Sequence, residues 1–351
     1  MTSKAFGLAQ LGNAYSDGAL SNRNLIINGA MQVAQRATIA SGVGATEGYY
    51  TVDRFQLGVG GTATAGRLTM SQDSDAPEGF GSSLKLDCTT ADTSIAADEN
   101  LRVVTVLEGQ NLQAFKKGTA NAESITLSFY VKGDASATYV IELFDTDNSR
   151  HICSTFPVTT SWERVEITFA GDTTGAFGND NGGSLRLHFW LHAGSNYNSG
   201  TLATAWAANN NVNRAVGADS FYDSTNRVFQ ITGVQLEAGD TATPFEHRSY
   251  GQELALCQRY YLTNTTSVDG GGVSFATVSR DIVVGVKVNF PVEMRSTPTL
   301  SMLGTTGRSG GDANGEQIST IGFSWGRKKT GSGSADVYAF ANGGFAVSAE
   351  L

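Results

Sequence analysis

The sequence predicts an all-β protein made of an antiparallel β-sandwich, one short helix and a small second β-sandwich. Three observations carry this. Apolar residues alternate: Ile125, Leu127, Phe129 and Val131 face one way, as do Val165, Ile167 and Phe169, and as do Leu185, Leu187, Phe189 and Leu191. Such alternation means sheets with one buried face. Composition agrees, since 42 Gly stand against 5 Pro and only 16% of residues are charged, as in short strands joined by tight turns. Only one stretch reads as a convincing helix. Ser249 with Gln252 three residues on matches a capping box, so a helix is expected from Tyr250 with Tyr250, Leu254, Cys257 and Tyr261 along one stripe.

The 351 residues leave room for two domains and extensions at ~150 residues each. Residues 1–23 are small and polar and read either as an extension that orders on a partner or on its own oligomer, or as a disordered tail. Residues 24–248 read as one β domain. Its expected strands are Leu25–Gln35, Asp53–Leu57, Leu68–Gln72, Ser83–Asp87, Asn100–Glu108, Ser124–Lys132, Thr138–Phe144, Arg150–Pro157, Glu163–Ala170, Ser184–His192 and Arg227–Glu237. Turn signals such as Lys132-Gly133-Asp134 and Asn181-Gly182-Gly183 separate them, and with no helix between, they indicate two stacked antiparallel sheets. In the last strand Gln230, Thr232, Val234 and Leu236 alternate with Ile231, Gly233 and Gln235. Leu202–Val216 dissolves into Asn209-Asn210-Asn211 and is expected to be a long loop.

The helix is placed at 249–262 and the second β unit at 263–351. Thr263–Gly272 reads as a loop. Strands are expected at Ile282–Phe290, Thr299–Leu303, Ile318–Trp325, Asp336–Ala341 and Phe345–Ala349, with Gly304–Gln317 and Gly326–Asp336 as long loops. Arg308, Arg327, Lys328 and Lys329 concentrate positive charge in those two loops, which suits approach to an anionic polymer.

A net charge of −9 gives no electrostatic reason to bind nucleic acid. No stretch approaches 18 apolar residues, so membrane insertion is not expected. Cys88, Cys153 and Cys257 are odd in number and far apart, and read as free buried thiols of a protein assembled in a reducing cytoplasm.

Among candidate sites, the strand Ser184–His192 puts Arg186, His188, Trp190 and His192 on the face opposite its leucines, and Tyr130 points outward on its own strand. An indole beside guanidinium and imidazole suits a sugar ring; the competing reading packs Trp190 beneath a loop. His188 and His192 on a strand lie about 13 Å apart, too far for one zinc ion. Asp145-Thr146-Asp147-Asn148-Ser149 begins like a calcium loop but has Arg150 and Phe156 where Gly and an acid are required, so a hairpin turn is expected. Asp53 or Glu237 would suit a structural calcium, but nothing requires one. No nucleophile elbow, metalloprotease helix or phosphate loop is present.

Two motifs carry a resemblance. NLIINGAMQVAQR at Asn24–Arg36, followed by YYTVDRF at Tyr49–Phe55, and VQLEAGDTATPFEHRSYGQELALCQRYY, ending at Tyr261, resemble the signatures that open and close a carbohydrate-binding-like jelly-roll domain in tail-fibre proteins of tailed bacteriophages of marine and cyanobacterial type. EGQNLQAFKKGT (Glu108–Thr119), Ile125–Gly133 and FAGDTTGAFGND fit the same pattern between them, so the resemblance covers about Asn24–Tyr261. It implies a jelly roll for the sandwich, a homotrimer held by the helix and a place in the virion. The asymmetry of the chain, a short polar extension at one end and loops on a packed sheet at the other, suits docking on other tail proteins through the N-terminus and a C-terminal β tip that faces the host. The implied role is non-catalytic attachment to a host cell-surface polysaccharide or lipopolysaccharide, with no cofactor. A purely structural virion component and a glycan-cleaving fibre are the rival classes.

Overall fold

The computed structural model describes residues 22–61, 65–265, 268–278, 282–304, 306–309, 313–329, 333–341 and 344–351, excluding the side chains of 268–278, 282–286, 307–309, 313–315, 327–329 and 333–341. The extension expected at 1–23 therefore lies almost wholly outside the described residues. The chain forms two compact units, 1–248 and 249–351.

The first unit is a two-sheet antiparallel sandwich. Its strands are β1 (Ile39–Val43), β2 (Gln56–Gly60), β3 (Arg67–Asp73), β4 (Ser83–Thr90), β5 (Asn100–Glu108), β6 (Ile125–Gly133), β7 (Ala137–Asp145), β8 (Arg150–Val158), β9 (Glu163–Phe169), β10 (Gly183–Ala193), β11 (Ala207–Ala208) and β12 (Val228–Ala238). One sheet runs β1-β3-β4-β12-β6-β9 and the other β11-β8-β7-β10-β5-β2. Between them lies the core expected from alternation: Leu127, Phe129 and Val131 of β6 and Leu185, Leu187 and Phe189 of β10 are all fully buried. Phe129 sits edge-on to Phe189 and Phe156 at 5.1 and 5.2 Å, a favoured geometry for aromatic pairs.

Two departures from the sequence reading have local causes. The alternation expected through β12 breaks at Gly233, whose φ is +62°. Pairing with β6 shifts between Thr232 and Gln235, so that Phe229 and Ile231 before this bulge and Val234 and Leu236 after it all reach the core. The second departure is Leu25–Gln35, which is an irregular buried segment and not a strand. Asn28, at φ +62°, replaces a strand partner with its side chain: its amide donates to Val33 O at 2.8 Å and Asp53 O at 2.9 Å, and its carbonyl accepts from Val33 N at 2.9 Å. Asn tolerates the left-handed region better than most residues. Gly29 lies against β12, where a Cβ would stand 2.1 Å from Val234 O; only glycine fits.

The opening and closing motifs clasp each other. Glu246 accepts from Asn22 N and Asn24 N at 2.7 and 2.8 Å, while Arg248 donates to the carbonyls of Asn24 and Ile26. Residues more than two hundred positions apart thus close the sandwich at one place.

The second unit begins with the helix expected from the capping box, α2 (Tyr250–Gln258), following α1 (Ser195–Asn198) of the first unit. Both halves of the box at Ser249 and Gln252 are formed. The helix ends earlier than predicted because Tyr261 starts β13 (Tyr261–Asn264), which pairs with β21 (Phe345–Ser348). Between these come β14 (Val268–Val278), β15 (Ile282–Asn289), β16 (Thr299–Met302), β17 (Thr306–Ser309), β18 (Ala313–Ser319), β19 (Gly322–Lys329) and β20 (Gly333–Ala341). They form three three-stranded sheets, β13-β21-β16, β14-β20-β17 and β15-β19-β18. The stretch Thr263–Gly272 is thus mostly strand, Ile318–Trp325 is split by a turn at Thr320-Ile321, and the two stretches expected as long loops are largely β17 to β20. Glycine and serine content suggested loops there, but cross-strand pairing prevailed over local propensity. Phe290, Met294, Phe323, Trp325, Phe345 and Val347 fill this unit's core.

Candidate functional site

The outward residues of β10 lie on the face that parity assigns them, but three of the four are not at the surface. Residues 194–220, the connection from β10 towards β12, cross the outer face of the second sheet and cover Trp190, which is wholly buried with Val140, Cys153, Ala193 and Ala215. His188 and His192 are buried too, while Arg186 is exposed. The centre of this layer is Glu142 of β7. Its Oε1 accepts from His151 Nδ1 at 2.9 Å and Arg214 Nε at 2.8 Å, and its Oε2 accepts from His188 Nδ1 at 2.7 Å, Trp190 Nε1 at 2.9 Å and Arg214 Nη2 at 2.9 Å. Arg102 and Arg214 stand over the Trp190 ring at 4.9 and 5.0 Å, two cation–π contacts.

Burial alone would raise the Glu142 pKa, but bonds from His151 and His188 and the charge of Arg214 outweigh it and hold the carboxyl well below its ordinary range. Burial brings His188 down to about 4, so it is neutral and donates through Nδ1. Arg102 is lowered to about 10, by burial first and then by Arg214, and stays charged at neutral pH. Glu142, His151 and Cys153 offer donor atoms within 4.8 Å of one another. They do not suit a metal ion, because both Glu142 oxygens are taken and burial pushes the Cys153 thiol up. This layer pins the covering loop to the sheet.

The expected sugar platform of Trp190 and Tyr130 is therefore not formed. Tyr130 belongs to β6 of the other sheet, half-buried against Phe80 at 5.3 Å, which in turn meets Phe245 and His247. The two rings lie on opposite outer faces of the sandwich. Asp145 shapes the hairpin turn expected between β7 and β8, accepting from the backbone of Asp147 and Asn148 at 3.0 and 3.1 Å. Asp53 and Glu237 are engaged by Gln35 and Thr243 respectively. Arg308, Arg327, Lys328 and Lys329 fall in β17 and β19, and their side chains lie outside the described residues. On α2, Cys257 is buried and Tyr250 is 56% exposed, whereas Leu254 is half-buried; Tyr261 is in β13. The stripe is consequently uneven, with Cys257 buried and Tyr250 turned out.

An open cleft of about 450 Å³ lies elsewhere, between the neighbouring edges of the two sheets. Its walls come from Ile152 to Ser154 of β8, Ile167 to Phe169 of β9, the turn Ala170–Thr174, and Thr204 to Trp206. Trp206 is half-buried, and two contacts fix it: the two-residue strand β11 that follows it pairs with Arg150 and His151, and its Nε1 donates to Ala170 O at 2.7 Å. Arg150 grips Asp172 with two bonds, Nε–Oδ2 at 2.7 Å and Nη2–Oδ1 at 3.0 Å, and reaches Trp206 O at 3.3 Å. Behind them Lys117 is buried, with Nζ 2.6 Å from Asp145 Oδ2, 3.1 Å from Asp172 Oδ2, and 2.9 and 2.8 Å from the carbonyls of Thr174 and Gly175. The same ammonium stands 5.4 Å from the Trp206 ring. Burial would raise the Asp172 pKa, yet its bonds with Arg150 and Lys117 lower it.

The cleft joins an indole and aliphatic side chains to threonine hydroxyls at its mouth. It has the apolar wall with a few fixed polar groups that small-molecule sites require. The sequence reading did not single out Trp206. Its signal was a lone tryptophan in Thr204-Ala205-Trp206-Ala207-Ala208, a small-residue run with no apolar period to explain it.

No protein-family model matches this chain, and no curated protein matches it in sequence. Several solved structures resemble it in part. The enzymatically active domain of tailspike protein 4 of bacteriophage CBA120 aligns at 11% identity and a TM-score of 0.32, over 61% of this chain and 21% of that one. The family 11 carbohydrate-binding module from Clostridium thermocellum, in complex with a mixed-linked tetrasaccharide, aligns at 13% identity and 0.29, over 59% of this chain and 99% of that one. TmCBM61, in complex with β-1,4-galactotriose, aligns at 9% identity and 0.31, over 62% of this chain and 99% of that one. The chain thus spans about a fifth of the tailspike domain and nearly the whole of the two modules, and what each of these proteins binds or does is a property of that protein.

Proposed function

We propose that the chain is a bacteriophage tail-fibre protein that attaches a virion to a bacterial surface by binding a cell-surface glycan without cleaving it. The Trp206 cleft is the observation that carries the glycan part: a partly exposed indole, held rigid at two points, beside hydroxyl and amide groups at the edge of a packed sandwich. Aromatic rings take the C–H face of a sugar, and fixed polar groups take its hydroxyls. The virion part rests on the opening and closing motifs, whose mutual clasp gives them a shared structural reason.

Asp172 speaks for binding over cleavage. It is the carboxylate of the cleft lining, and its commitment to Arg150 and Lys117 makes it a poor general acid, whereas glycoside hydrolysis calls for two carboxyl groups with opposed pKa demands. A homotrimer joined through α2 would multiply a weak single-site affinity. The test is retention of the labelled full chain on bacteria. Periodate, which cleaves vicinal diols of surface sugars, is expected to abolish retention, and protease treatment of the cells to spare it. Retention that survives periodate and is lost to protease would overturn the glycan reading; a fall in the viscosity of released polysaccharide would overturn the non-catalytic one.

A further inference from the structure

The charges around the Trp206 cleft cancel in place. Arg150 and Lys117 face Asp172 and Asp145, two positive groups against two negative ones, with Lys117 paired to both carboxylates and Arg150 to Asp172, each within 3.1 Å. Lys117, Asp145 and Asp172 are almost fully buried, so their pairing is not exchanged for solvent contacts. No charged side chain of the wall is therefore left to compensate a charged ligand. What the mouth does present is uncharged. Thr173, Thr174 and Thr204 line it and are exposed, and the half-buried Trp206 and Ile167 supply apolar surface.

We infer that the ligand of this cleft is an uncharged sugar, and that sugars bearing carboxylate, sulfate or phosphate are rejected. This rests on the glycan reading and narrows it. Burying an anionic group beside a wall whose cations are already satisfied costs its hydration without a compensating ion pair. The chain's net charge of −9 adds a repulsive long-range field. Lys117 has a second consequence. Its ammonium fills the space among two carboxylates and two carbonyls, the oxygen-rich setting in which proteins otherwise place a hard cation. The Ala170–Thr174 wall is thus held by the chain itself, and recognition does not depend on divalent metal.

The experiment is calorimetric titration of the full chain with two panels of short oligosaccharides. The neutral panel holds cello-, xylo-, galacto- and malto-trioses; the anionic panel holds trigalacturonate, sialyllactose and a sulfated galactobiose. At least one neutral sugar is expected to bind, with an affinity unchanged by added salt or EDTA and weakened about tenfold or more in Trp206→Ala. An anionic sugar that binds more tightly than any neutral one, with affinity falling as salt rises, would overturn the inference and leave the glycan reading standing. Loss of neutral-sugar binding in EDTA would overturn the role given to Lys117. If neither panel binds, or if Trp206→Ala binds as the wild type does, the cleft reading itself fails. A melting curve for Trp206→Ala, with Trp206→Phe as a second variant that keeps an aromatic face, separates lost contact from lost fold.

Discussion

Glu142 carries a full charge in the interior because five donors meet its two oxygens, one set from the sheet and one from the covering loop. Arg214 is the loop's contribution, and removing the charge of Glu142 would leave that guanidinium buried without a counter-ion. Glu142→Gln is expected to cost ~3–5 kcal/mol at neutral pH, the range for breaking one half of a buried ion pair, and calorimetric melting measures it. The pH dependence follows from two directions. His188 binds a proton at about 4 in the fold and ordinarily at 6.5, so the unfolded chain takes up the proton first. Its contribution is complete above pH 6.5 and is lost as pH falls towards 4. Glu142 is held below its ordinary 4.5, so its contribution is complete above about that pH and is lost on further acidification. The melting temperature should fall as pH drops below 6.5, first through His188 and then through the carboxylates, and the second stage should be smaller in Glu142→Gln, where Asp172 and Asp223 still lose their paired contributions. A wild-type melting temperature that rises on acidification would contradict this arrangement. Side-chain direction on β10 was legible in the sequence because parity is strictly local. The burial of Trp190 beneath a loop agrees with the competing reading of the sequence, but parity could not decide between the two, because the cover comes from residues 194–220, whose path across the sheet leaves no periodic trace.

At the scale of elements, strands with a clean apolar face were readable nearly to their ends, since one buried face fixes both period and register. The reading failed where side-chain hydrogen bonds or glycine set the path. In Asn24–Arg36 an apolar run mimics a strand, but Asn28 supplies the bonds that a neighbouring strand would have made. In β12 one bulge at Gly233 reverses the inward parity. The second unit misled in the other direction, because glycine- and serine-rich stretches pair as β17 to β20. For α2 the capping box located the start correctly, and the length was overestimated because the β-favouring Tyr261-Leu262-Thr263 begins the next strand. Nine residues form a marginal helix alone, and α2 buries Cys257 while leaving Tyr250 exposed and Leu254 half-covered. If that outer side joins three chains, Leu254→Asp should convert trimer to monomer in light scattering with little change in far-ultraviolet circular dichroism. A wild-type monomer at micromolar concentration would rule out this use of the helix.

For the molecule as a whole, the sandwich closes where its first and last motifs meet, and a cleft stays open at the neighbouring edges of its sheets. The sequence made the closing motifs conspicuous and the cleft inconspicuous. The first are contiguous runs; the second gathers Lys117, Arg150, Asp172 and Trp206 from four separate connections and strand ends, which only the topology brings together. Attachment through that cleft is the central claim, and retention of the full chain on a bacterial strain tests it most directly. Wild type and Trp206→Ala are compared at equal concentration after their melting temperatures have been shown to agree within a few degrees. The account predicts that the wild type is retained and that Trp206→Ala is washed off. Equal retention of the two proteins would contradict it and move the contact to another face.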